Sequence, residues 1–280
     1  MSDQATLAVE TALIRQKTLK YLSVIRINAR NTLAYLVNAL SRSAIVVLRI
    51  WIFTQLYTAS YAMAGATDIG GLTLPMAIWS LMLTQSFQSA ARPMLVRILD
   101  EEVKTGKLAY SVNRPYSYML FHLSGYLGRS APNLITNLMI GALAAIFLVG
   151  PLPTSLIGIA LGAALLCLGY MLDFCMQFII GLLGFWLEDT AALVWIYTKG
   201  QFVLGGVILP LALFPGALGR LASLLPFGLM YYGPARIMVN FDFGLFKEFI
   251  LMQFVWIAVF GLAALLIFKK SLKYVSINGG

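Results

Sequence analysis

The sequence predicts an all-α membrane protein with six transmembrane helices, an N-terminal amphipathic interfacial helix, and re-entrant helices between spans five and six. Of its 280 residues 60% are hydrophobic, and the mean hydropathy is +0.84, well above the roughly 45 to 50% apolar share of soluble domains. The 20 basic and 11 acidic residues are too few to clothe a core of that richness in water. The apolar residues also gather into runs long enough to cross hydrocarbon, which takes about 20 residues each. No internal repeat divides these runs, so residues 1–280 read as one membrane domain.

The first element is residues 13–31, "LIRQKTLKYLSVIRINARN", which sets Leu13, Ile14, Leu22 and Ile25 among bases at roughly helical spacing. That pattern predicts an amphipathic helix lying in the headgroup layer. The stretch ahead of it, "MSDQATLAVE", is polar and acidic, unlike a cleavable signal. Six spans follow, at about 43–63, 72–91, 131–150, 155–186, 190–212 and 249–268. Thirteen of the 20 Lys and Arg fall in three segments, Arg15–Arg30, Arg92–Arg114 and Lys269–Lys273. An even number of spans puts both termini on one side. All three basic segments then face the cytoplasm, while "GATDIGG" and "GPLPTS" face out. The expected location is a bacterial cytoplasmic (inner) membrane, crossed several times, with both termini cytoplasmic. Because the positive charge follows this orientation pattern, the net +9 does not argue for a nucleic-acid partner.

Between spans two and three lies a charged segment, 92–116. Pro93 suits the first turn of a helix. Leu95, Ile98, Leu99 and Val103 recur at three- and four-residue steps. Asp100 and Lys104 stand four apart with the acid first, and Gly106 supplies a stop. A short amphipathic helix over 93–105 is expected, then "KLAYSVN" in extended form and a turn at Asn113-Arg114-Pro115. An apolar face flanked by both signs of charge suits a groove on a soluble partner; an ordinary solvated loop is the alternative. Between spans five and six, residues 210–240 are apolar yet interrupted by Pro210, Pro215, Pro226 and Pro234. No straight helix fits there, so short helices that dip in and return are expected.

Polar residues inside the spans need partners, since a charge at the bilayer centre costs roughly 2.5 to 3.5 kcal/mol on insertion scales. Asp173 in span four and Lys199 in span five could reach similar depth and form a structural ion pair, or line a substrate route. Arg49 lies within snorkelling reach of the first span's inner end. Ser80, Thr84, Gln88 and Arg92 fall at four-residue steps on one face of span two. This stripe suits hydrogen bonds between helices or a route for polar groups. Cys167 and Cys175, eight residues apart on one helix, would be about 12 Å apart and cannot pair.

"EEVKTGKLAYSVNRPYSY", "GGVILPLALFPGALGRLASLLPFGLMYYGPARI" and the closing "KYVSINGG" resemble the type 2 ABC exporter permeases, in the subfamily whose cytoplasmic segment reads acid, Gly, then Arg-Pro. The likeness follows nearly the whole chain in span order. It implies a permease subunit that dimerises with a second copy or a related permease, in contact with membrane lipid, and docks two ATP-binding subunits. The docking residues it implies are Ile98, Leu99, Asp100, Glu101, Glu102, Lys104, Gly106, Asn113, Arg114 and Pro115. The substrate pathway would include Ser80, Thr84, Gln88, Asp173 and Lys199. ATP and magnesium would belong to the partner subunits, and this chain itself would carry no cofactor.

The residues agree with the missing engine. There is no GxxxxGK[ST] phosphate loop. Nor is there an HExxH, a CxxC or a His/Cys cluster with metal spacing, so no catalytic residue and no metal ligand is expected. The lone His122 reads as a packed or surface residue. Two rivals remain at this stage: a secondary transporter coupled to protons through Asp173, and a membrane-embedded lipid-modifying enzyme using Glu188 and Asp189.

Overall fold

The computed structural model describes residues 2–187 and 189–278, and side chains over 18–273 apart from 36–40, 42, 43 and 188. Leu13, Ile14 and Glu188 therefore lie outside the described side chains. Helix dominates. α1 (Ser2–Ala34) breaks at Tyr35, whose backbone leaves the helical region at φ −107° and ψ 45°, and α2 (Leu36–Ala64) follows. A short antiparallel hairpin, β1 (Asp68–Ile69) and β2 (Leu72–Thr73), pairs Asp68 with Thr73 and Ile69 with Leu72. Then come α3 (Leu74–Ala90), α4 (Met94–Lys104), α5 (Lys107–Val112), α6 (Tyr118–Val149) and α7 (Leu156–Leu182). The last third holds α8 (Ala191–Leu204), α9 (Gly216–Leu224), a π-helical turn at Gly228–Tyr232, α10 (Gly233–Val239) and α11 (Phe243–Asn278).

Among the described residues, four stretches are long and apolar enough to cross a membrane: Ala44–Ala64, Tyr118–Val149, Leu156–Phe185 and Phe243–Lys273. The other two predicted spans become shorter helices, 17 residues in α3 and 14 in α8. α3 ends just before the proline at 93. α8 ends at Gly205, after which Gly206 turns the chain with φ +70°. The third predicted span, 131–150, proves much longer, since α6 begins at Tyr118 and runs for 32 residues straight through Pro132. By its rise it is about 48 Å long. Pro132 cannot donate to the carbonyl of Gly128, and Gly128 is where α1 comes closest. A Cβ there would lie 2.5 Å from the Ile25 carbonyl oxygen, so only glycine lets the two backbones meet. α1 thus lies along the first half of α6, with Ile25 turned inward and Leu22 outward.

The bundle has two distinct ends. At one, the hairpin meets distant segments: Tyr61 donates to the Leu72 carbonyl (2.8 Å), Trp79 to Gly150 (3.1 Å) and Asn240 to Gly71 (3.1 Å). At the other end, α4 and α5 sit beside the start of α6 and the finish of α7.

Residues 216–239 form α9, a turn and α10. α9 starts near the hairpin end, with Gly219 against Leu211, and its last turn accepts a bond from Trp256 Nε1 at the Leu224 carbonyl (2.9 Å). The chain turns at Phe227, beside Gly200 of α8, and the π-turn and α10 climb back along α7. Three α7 glycines make that contact possible. A Cβ at Gly169 would meet the Met230 oxygen at 2.4 Å, at Gly162 the Met238 Cγ at 2.3 Å, and at Gly158 the Ile237 oxygen at 3.0 Å. Small residues at helical spacing allow such backbone approach inside a membrane. Gln253 of α11 ties both strands of the contact, donating to the Leu165 and Leu229 carbonyls at 2.9 and 2.8 Å.

Candidate functional site

α4 follows the predicted helix within a residue at each end, and its amphipathic pattern dictates how it packs. Leu95, Val96 and Leu99 are fully buried. A Cβ at Gly181 of α7 would stand 2.6 Å from Leu99 Cβ, so α4 is pressed onto the end of α7. Gly106 stops the helix in a left-handed conformation, φ +69°. The expected extended stretch does not follow. Lys107–Val112 forms α5, because the glycine turns the chain and lets Leu108 bury beneath a second short helix. The chain then turns at Asn113 to Tyr116, with Tyr116 N bonded to the Arg114 carbonyl (2.8 Å), as the proline there requires.

This geometry divides the residues that the resemblance puts at a docking surface. Glu101 is 69% exposed and Lys107 63%, with Lys107 Nζ 3.4 Å from Glu101 Oε1. Lys104, Gly106, Asn113, Arg114 and Pro115 are exposed too, as is Tyr110 of α5. Asp100 is mostly covered, paired to Lys104 at 2.7 Å, with one oxygen buried against Gly184. Leu99 and Glu102 require correction: both turn inward, because their positions on α4 face α7 and α6. Ile98 is half-buried. Glu102 accepts a hydrogen bond from the Tyr118 hydroxyl (2.8 Å) and lies 3.6 Å from His122 Nε2. Burial alone would raise the Glu102 pKa. His122, the Tyr118 hydroxyl and Arg114 outweigh it and hold the carboxyl below its ordinary value. Tyr118 in turn stacks on Phe268 of α11 at 5.3 Å.

The second polar centre is Asp173, wholly buried in α7. Its expected ion pair with Lys199 does not form. Lys199 lies on the outer side of α8, its Nζ 5.6 Å from the Trp195 ring centre. Residues two apart on a helix face different ways, and Tyr197 and Gln201 on either side of Lys199 both point at Asp173. Five side chains donate to the carboxylate instead. Tyr126 (2.5 Å) and Gln177 (2.7 Å) reach Oδ2. Tyr231 (2.8 Å), Gln201 (3.0 Å) and Tyr197 reach Oδ1. α6, α7, α8 and the π-turn thereby meet at one carboxyl group, which is satisfied by hydrogen bonds.

The stripe on α3 is buried as well. Thr84 bonds the Ser80 carbonyl at 2.7 Å, Gln85 reaches the Val207 carbonyl at 3.2 Å, and Gln88 reaches Gln201 at 3.4 Å. Gln88 is thus joined to the Asp173 cluster through Gln201, whereas Ser80 and Lys199 are not part of it. Arg49 does not snorkel freely; its guanidinium lies 5.4 Å from the Phe202 ring centre on α8. Cys175 is buried and Cys167 exposed. Asp189 accepts a bond from Ala191 N (2.9 Å) at the start of α8, the work of a helix-end acid.

The cluster's tyrosines and glutamines escape a reading for charge. Two spacings carry the signal, Asp173 with Gln177 and Tyr197 with Gln201, each four apart on one helix face. Arg129 and its neighbours Asn28 and Asn133 are likewise polar residues set within or beside an apolar run.

Long apolar helices, a polar centre sealed among them and an amphipathic helix clamped to one end define a polytopic helical membrane protein. The family model described as ABC-2 family transporter protein matches residues 49–279, and the chain belongs to that family. It is accordingly a membrane component of an ABC transporter, and membership implies association with ABC ATP-binding subunits. A comparison with curated proteins gives no match.

Proposed function

We propose that this chain is the permease half of an ATP-driven exporter, working as a dimer and moved by two ATP-binding subunits that dock on α4 and α5. The observation that carries the reading is the clamp of α4 on α7. One face of α4 is buried against Gly181 and Gly184, while Glu101, Lys104 and, beyond the turn, Lys107 and Tyr110 stay open to a partner. A push on the open face moves α7, and α7 carries Asp173, where three other elements are fastened. ATP and magnesium act on the partner subunits. In this reading α3 and α8 complete six spans, residues 216–239 form the re-entrant pair, and the basic segments face the cytoplasm of a bacterial cell. Lys199, outward on α8, would face a pathway lying between two copies, with Ser80, Thr84, Gln88 and Asp173 buried behind it.

The test is charge reversal on the open face. Glu101→Lys with Lys107→Glu leaves the buried face untouched and is expected to weaken co-purification with the ATP-binding subunits roughly tenfold, with ATP-driven efflux falling in parallel. Unchanged efflux in that variant sinks the reading, as does transport that follows a proton gradient without any ATPase partner.

A further inference from the structure

A cavity of about 830 Å³ opens between the second half of α1, the α3–α4 junction and the first half of α6. Three guanidiniums line it, from three different elements: Arg92 before α4, Arg97 on α4 and Arg129 on α6. Among the described residues that line it there is no carboxylate. Arg129 is held in place by Asn28 of α1, its Nη1 donating to Oδ1 at 3.0 Å, and Arg92 Nε contacts the Ser89 carbonyl at 3.4 Å. Asn31 and Asn133 add amide groups on the same walls. Thr32, Tyr35, Tyr126 and Ser130 add hydroxyl groups, and the apolar part of the wall includes Met94 and Ile98 on the α4 side.

Three like charges converging on one space, with no acid among the described residues that line it, favour an anion. Guanidinium forks match phosphate oxygens two at a time. The volume exceeds what a bare phosphate fills and lies within the roughly 300 to 1,000 Å³ of ordinary ligand sites. The mixed wall, cationic on one part and apolar on another, suits a phosphate group carried on a glycerol or acyl body. Basic pockets between membrane helices take anionic headgroups in this way.

We propose that this cavity binds a phosphate-bearing anion, with Arg97 and Arg129 as its principal contacts. The site touches α1 and α4 together, so its occupant bridges them. The proposal does not depend on the exporter reading, since it concerns binding to this chain alone.

The full chain, purified in detergent, can be titrated with short-chain phosphatidylglycerol, short-chain phosphatidylcholine and glycerol 3-phosphate, with bound molecules counted by native mass spectrometry. Phosphatidylglycerol is expected to bind roughly tenfold more tightly than phosphatidylcholine. Arg97→Gln with Arg129→Gln is expected to erase that preference and leave phosphatidylcholine retention unchanged. Arg97 is exposed, so Arg97→Gln alone keeps the fold and still must lower the preference several-fold. Glycerol 3-phosphate binding as tightly as the lipid, and sensitive to Arg97→Gln, supports the proposal with a free phosphate compound as the source. Binding of phosphatidylglycerol alone supports it with a lipid as the source. Equal retention of both lipids with no glycerol 3-phosphate bound overturns it, and so does any anion preference that Arg97→Gln leaves intact.

Discussion

At the scale of single residues, Asp173 and Glu102 show two ways of keeping a carboxylate inside this protein. Asp173 draws five donors. Asp173→Ala leaves three hydroxyls without their acceptor, takes one of two acceptors from each of Gln177 and Gln201, and should cost about 3 kcal/mol or more. A fall in melting midpoint of the detergent-purified protein reads this. Asp173→Asn should fall between wild type and Ala, because an amide accepts at one end only. Glu102 titrates outside the spans. Its folded pKa lies below the ordinary 4.5, so its contribution is complete above that value and lost as pH falls through the depressed one. Melting midpoints measured downward from pH 5 should therefore drop, and Glu102→Gln should flatten that step. The sequence announces Asp173 as a charge in an apolar run. It does not announce Tyr126 or Tyr231, 47 and 58 residues away, because such meetings are made by packing. Lys199 is the instructive miss: opposite charge suggested a partner, while helical phase turned it away.

At the scale of elements, α4 was legible because its 11 residues hold enough apolar period to specify one face. α5 was not, since six residues carry no readable period, and a left-handed glycine serves a helix end and a helix-to-helix corner equally well. The length of α6 was hidden by Pro132, which reads as a boundary but is tolerated within a packed bundle. The broken stretch after α8 was legible as broken from its prolines. Its path along α7 was fixed by the glycines at 158, 162 and 169. The α4–α7 clamp offers the sharpest test at this scale. Gly181→Ala places a methyl 2.6 Å from Leu99 Cβ, so α4 must shift. ATP hydrolysis by the assembled complex should continue while transport per ATP falls; unchanged coupling would mean the clamp transmits nothing.

For the whole molecule, the two ends of the bundle make a topological statement that labelling can check. Cysteines introduced at Tyr110, beside α4, and at Asp68, in the hairpin, should react with impermeant reagents from opposite sides of the membrane. Reaction from the same side would undo the six-span reading. The ends are also fastened by different chemistry. The hairpin rim is stitched through main-chain carbonyls, with Asn240 on Gly71, Trp79 on Gly150 and Thr154 on Met238. The opposite rim adds ion pairs near water, Lys104 with Asp100 and Lys107 with Glu101, to the buried contact of α4 on α7. Dissolved ions weaken only the ion pairs. Raising ionic strength should consequently strip the charged trimmings from the α4–α5 surface while the apolar joint beneath them holds.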